Sequence, residues 1–66
     1  MSLATNLCRL QAQRGETNYR LAKELGVTQT SIQNWRTGET KPLAVYLERL
    51  AAHFGCTVEE LTADNS

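Results

Sequence analysis

The sequence predicts an all-α domain of five short helices. Two observations carry that prediction: apolar residues recur at helical spacing throughout, and glycines and threonines punctuate the chain at regular helix ends. No stretch of useful length alternates with period two, so strands are not expected. With 66 residues the chain is one domain, and a domain of this size buries only about 60% of its unfolded surface.

The first helix is expected over roughly residues 3–14, with Leu3, Leu7 and Leu10 on one face. Thr17 caps a second helix over Asn18–Leu25, with Leu21, Ala22 and Leu25 inward. Thr28 caps a third over Gln29–Arg36, with Ile32 and Trp35 inward and Val27 stapled onto Ile32. Pro42 is expected to open the fourth helix, Pro42–Phe54, because its missing N–H is harmless there. That helix should bury Leu43, Leu47, Leu50, Ala51 and Phe54. The fifth, Val58–Leu61, begins with a Thr57–Glu60 capping box and a possible Cys56–Leu61 staple. Gly15, Gly26, Gly38 and Gly55 each follow a helical segment, where a left-handed residue ends a helix. The folded domain is expected over residues 1–62, with 63–66 as a loose tail.

Composition excludes several classes. No apolar run approaches a membrane span and no signal pattern opens the chain, so the expectation is a cytoplasmic protein with no membrane partner. Two distant cysteines, Cys8 and Cys56, and a single histidine, His53, cannot supply the usual four zinc ligands. Both cysteines are expected to be reduced, half-buried packing residues. His53 reads as a solvated residue near a helix C-terminus, where a cation is favoured. Ser31 has no general base at a suggestive spacing, and one of Glu59 and Glu60 serves the capping box. No enzyme, cofactor or small-molecule ligand is expected. Tyr19 and Tyr46 could pack on the core edge or line a dimer seam, and Tyr19 could approach a phosphate. Leu43, Val45 and Tyr46 carry more apolar surface than one helix face can bury, which leaves some for self-association.

Net charge is zero, against the basic excess expected of a nucleic-acid binder. Its distribution is polar, however. Residues 1–41 hold six basic and three acidic groups, and residues 42–66 hold one basic and four acidic.

The functional signal is the stretch from Leu21 to Trp35. Two short helices joined by a tight glycine-bearing turn form a helix-turn-helix unit. Ala22 is small because the third helix crosses the second there, while Leu21, Leu25, Val27, Ile32 and Trp35 form the wedge between them. What remains outside is Gln29, Thr30, Gln33, Asn34, Arg36 and Thr37, short polar groups almost free of acid. Gln and Asn amides donate and accept together, which suits the N6/N7 edge of adenine. Thr30 offers a methyl for thymine, and Arg36 suits guanine or phosphate.

Those residues, with Leu7-x-x-Leu10, Gly15, Gly38 and the closing Leu50-Ala51…Phe54-Gly55…Leu61 pattern, resemble the Xre family, the repressor and Cro proteins of lambdoid phages and their bacterial relatives. The likeness runs from Leu7 to Leu61 and implies a lambda-repressor-like DNA-binding domain. It implies a transcriptional regulator, a Cro-type repressor, reading the major groove with its third helix. The partner would be a double-stranded operator with two-fold symmetry, bound by a homodimer that forms fully only on DNA. By the resemblance Gln29, Thr30, Gln33 and Asn34 fall on base-contacting positions, and Asn18, Thr37 and Lys41 on phosphate-contacting ones. Arg14, Arg20 and Arg36 join the phosphate set on charge.

Three departures accompany the likeness. Many relatives pair a basic residue at position 11 with an acidic one at position 36. Here these are Gln11 and Arg36, which should leave Arg36 free to face DNA or solvent. Glu16 stands where an apolar residue is usual, so the start of the second helix should be less well stapled. The loop before Pro42 is less basic, which with zero net charge implies modest non-specific affinity and a shallow salt dependence. The competing interpretation is a protein-interaction module, antitoxin-like or part of a larger regulator, that keeps the helix-turn-helix for packing.

Overall fold

The computed structural model describes residues 2–63. It contains α1 (Ser2–Arg14), α2 (Asn18–Leu25), α3 (Gln29–Thr37), α4 (Ala44–Phe54) and α5 (Val58–Thr62), with no strand among the described residues. Helix α1 packs on α3 and α5, α2 on α3 and α4, and α4 on α5. Leu7, Leu21, Ile32, Leu50 and Leu61 are fully buried at the centre, one from each helix. Ala22, Leu25, Trp35, Ala51 and Phe54 complete the core, with Leu3, Leu10, Leu47 and Cys56 half-buried against it.

Local signals place the ends. Thr17, Thr28 and Thr57 each accept the N3 amide of their helix, and Thr57 and Glu60 close the expected capping box. Cys8 and Cys56 are free and half-buried. Burial, then the nearby Glu60 carboxylate, pushes the Cys56 thiol above its ordinary range.

Helix α4 departs from expectation. It starts at Ala44, with Leu43 as an extended N-cap residue that makes no side-chain capping bond. Pro42 is buried before it, sharing a recess with Trp35 and Leu3. The proline ring is thus used for packing rather than to start the helix, and Leu43 is turned outward at 69% exposure instead of joining the core. Tyr46 does pack on the core edge, 5.9 Å from the Trp35 ring.

The other end of the bundle is closed by a residue the apolar pattern passes over. Asn6 is 1% exposed. Its Nδ2 donates to the Leu61 carbonyl at 2.7 Å and the Ala63 carbonyl at 3.0 Å, groups a helix C-terminus leaves unpaired. Ala63, expected in the tail, is held to α1 by this contact; residues 64–66 of that tail lie outside the described residues.

Candidate nucleic-acid interface

Helices α2 and α3 are joined by residues 26–28. Gly26 takes φ +72° and its neighbour's amide, Val27 N–H, donates to the Ala22 carbonyl at 3.0 Å, ending α2 in a left-handed turn. Ala22 is buried where the two helices meet, and Ile32 and Trp35 hold α3 to the bundle. Val27 packs half-buried against that core.

With Ile32 and Trp35 inward, the opposite face of α3 is presented to solvent. Gln29, Thr30, Gln33 and Thr37 are exposed and Asn34 is half-buried. The structure therefore brings the four expected base-reading residues onto one helix, three of them exposed and Asn34 half-buried. Ser31 lies half-buried, its hydroxyl 3.0 Å from that of Thr28.

The residues expected to grip phosphate divide into two groups. Lys41 and Arg20 are exposed. Arg20 shares a polar recess with Arg14 and Thr17 at the start of α2, and the Arg14 guanidinium lies 5.6 Å over the Phe54 ring. Thr37 Oγ donates to the Asn34 carbonyl at 3.2 Å, fixing the loop that follows α3. Lys23, which the sequence reading did not single out, lines a recess with Tyr19, Thr28 and Gln29 beside the start of α3. Its position one turn after Tyr19 on α2 was the available signal.

Arg36 and Asn18 are engaged within the protein. Arg36 Nη1 donates to Asn18 Oδ1 at 2.7 Å, and its Nε lies 3.4 Å from Cys8 Sγ. This corrects the expectation of a free Arg36: without an acidic group of its own or a basic partner at 11, the guanidinium turns to the nearest acceptors across the bundle. Gln11, 2% exposed, donates its Nε2 to the same Asn18 oxygen at 3.0 Å. Asn18 Nδ2 in turn donates to Gln33 Oε1 at 3.1 Å. A continuous polar relay thus runs from buried α1 to the exposed face of α3.

Glu16 and His53 also differ from expectation. Glu16 makes a close pair with His53 Nε2 at 2.9 Å, with only 9% and 16% of the two side chains exposed. His53 is therefore not solvated. The polar residue before α2 is tied to α4 by a long-range contact within the bundle, and it is not a loose staple. Arg49, though exposed, reaches across to α2, Nη1 donating to the Leu25 carbonyl at 3.4 Å at the negative end of that helix.

This architecture is that of a helix-turn-helix protein, and residues 8–61 match the helix-turn-helix family model. The chain belongs to that family, the Xre/Cro-like group of helix-turn-helix domains. Among solved structures, it is similar to a transcriptional regulator from Listeria innocua, with 34% identity and a TM-score of 0.90 over 97% of this chain. The chain spans 60% of the length of that protein. No curated protein matches the chain.

Proposed function

We propose that the chain is a sequence-specific DNA-binding transcriptional regulator, a Cro/Xre-type repressor, and a binding domain rather than an enzyme. Helix α3 lies in the major groove, with Gln29, Thr30, Gln33 and Asn34 at base edges. Arg14, Arg20, Lys41 and the amide end of α2 at Asn18 meet phosphates, as do Thr37 and the added Lys23. Arg36 acts within the protein.

The observation that carries this reading is the amide-rich face of α3, held outward by the buried Ile32 and Trp35. The family membership and the similarity to a transcriptional regulator support it. One short helix spans only a few base pairs, so a homodimer on a two-fold operator, with half-sites about one turn apart, supplies the missing specificity. Exposed Leu43 and Val45 offer apolar surface for the second protomer. Among the described residues no helix is long and apolar enough to cross a membrane, and action on DNA places the protein in the bacterial cytoplasm.

Selection of bound sequences from random duplexes tests this reading. A palindromic motif is expected, and the double variant Gln29→Ala, Asn34→Ala should lose discrimination while its circular dichroism stays helical. A variant that still selects the same motif would remove α3 as the reading helix.

A further inference from the structure

We propose that Gln11 and Arg36 determine which base Gln33 reads: through Asn18 they hold the Gln33 amide with its donors outward, so that it selects guanine, and thymine next. The inference rests on the DNA-reading role proposed for α3.

A guanidinium can only donate, so the Asn18 atom 2.7 Å from Arg36 Nη1 is the amide oxygen. Gln11 adds a second donor to that oxygen. The Asn18 amide therefore cannot turn over without placing N–H against two donors. Its nitrogen is left facing Gln33 at 3.1 Å. A nitrogen with two hydrogens only donates, so the Gln33 atom opposite it is Oε1. The direction of every bond in the relay follows from the one group that cannot accept.

The consequence lies at the exposed end. Gln33 Oε1 is turned to Asn18, and Nε2 carries two hydrogens that no group among the described residues claims. In the major groove guanine presents two acceptors, N7 and O6, and thymine one, O4; adenine also presents one, N7, but beside the N6 donor, which repels an N–H. The usual glutamine–adenine pair needs the side-chain oxygen to accept from N6, and cytosine offers only a donor. Gln33 thus departs from the adenine preference that its residue type suggests. Gln11 and Arg36 are positioning residues: they set the polarity of a reader without touching DNA.

Two substitutions reverse the relay from different sides. Asn18→Asp keeps both inward donors satisfied but can only accept, so Gln33 must turn Nε2 toward it and show Oε1 to the groove. Gln11→Glu draws Arg36 and the Asn18 nitrogen inward, with the same result from a buried site. The experiment is selection from random duplexes with the parent protein and both variants, with Gln33→Ala used to locate the base position that Gln33 controls. The parent should favour a keto base there, guanine first, by about tenfold, the scale of one good base contact. Both variants should move the preference to adenine or cytosine, even though Asn18→Asp also weakens binding by its charge. If Gln11→Glu fails to fold, the Asn18→Asp result alone decides. An amino base selected by the parent, or variants weakened with no change of base, overturns the relay. Absence of any motif from the parent overturns the DNA-reading role of α3 itself.

Discussion

The structure separates two cations that the sequence alone treats alike, and salt dependence tells them apart. Lys41 is exposed, and its side chain makes no hydrogen bond or ion pair among the described residues. Arg36 is held by Asn18 and Cys8. Each phosphate neutralised adds about 0.9 to the slope of log K against log salt, so losing one contact per protomer of a DNA-bound homodimer removes about 1.8. Between 50 and 200 mM salt that is a difference of about twelvefold in how far affinity falls. Lys41→Gln should therefore flatten the slope by about 1.8, measured by fluorescence anisotropy on a selected operator at four or five salt concentrations. Arg36→Met should leave the slope within about 0.3 of the parent, whatever it does to absolute affinity. A loss of about 0.9 for Lys41→Gln would mean that one protomer binds alone. Equal flattening by both variants would show that Arg36 leaves Asn18 for a phosphate, and the separation drawn here would be wrong.

Two further predictions concern the scaffold. Gly26→Ala meets no heavy atom within 4 Å of the new Cβ, so its effect is purely conformational at φ +72°. A left-handed residue costs about 1–2 kcal/mol, offset by about 0.4–1 kcal/mol of unfolded-state entropy, and Gly26→Asn, though larger, should cost less than Gly26→Ala in urea denaturation. The Glu16–His53 pair should behave as a unit: Glu16→Leu leaves a half-buried ring nitrogen unpaired and costs about 1–3 kcal/mol, while the double change with His53→Leu returns to within about 1 kcal/mol of the parent. A double variant no more stable than the single one, in the same denaturation series, would show that the pair is not coupled.

Much of the fold was legible because its signals are local. A threonine before an apolar helix, or a glycine after one, acts on amides and carbonyls within four residues, so the ends of α2 and α5 fall within a residue of expectation. The wedge of Ala22, Ile32 and Trp35 was legible through periodicity. Pro42 misled because a local rule competed with a tertiary one. Its ring suits a helix start, yet it is buried beside Trp35, and the helix begins two residues later. The contacts of Asn6, Glu16, His53 and Arg36 are not legible for one reason: their partners lie in distant elements and loops, 18 to 57 residues away. Nothing in a helical period announces such a partner.

The same contacts explain how a chain with polar or charged residues at positions 11, 16 and 36 forms this architecture. Glu16 gains a partner in His53, and Arg36 gains one in Asn18, so neither charge is left bare inside the bundle. Gln11 is the exception. Its Oε1 is buried without a hydrogen-bond partner, an arrangement that costs about 1–3 kcal/mol. Packing alone would favour an apolar residue such as leucine there. What glutamine contributes, and leucine cannot, is the N–H that fixes the Asn18 amide. A buried polar group that lowers stability while orienting a surface reader belongs to recognition, and its effect should be sought in the choice of base before it is sought in a melting curve.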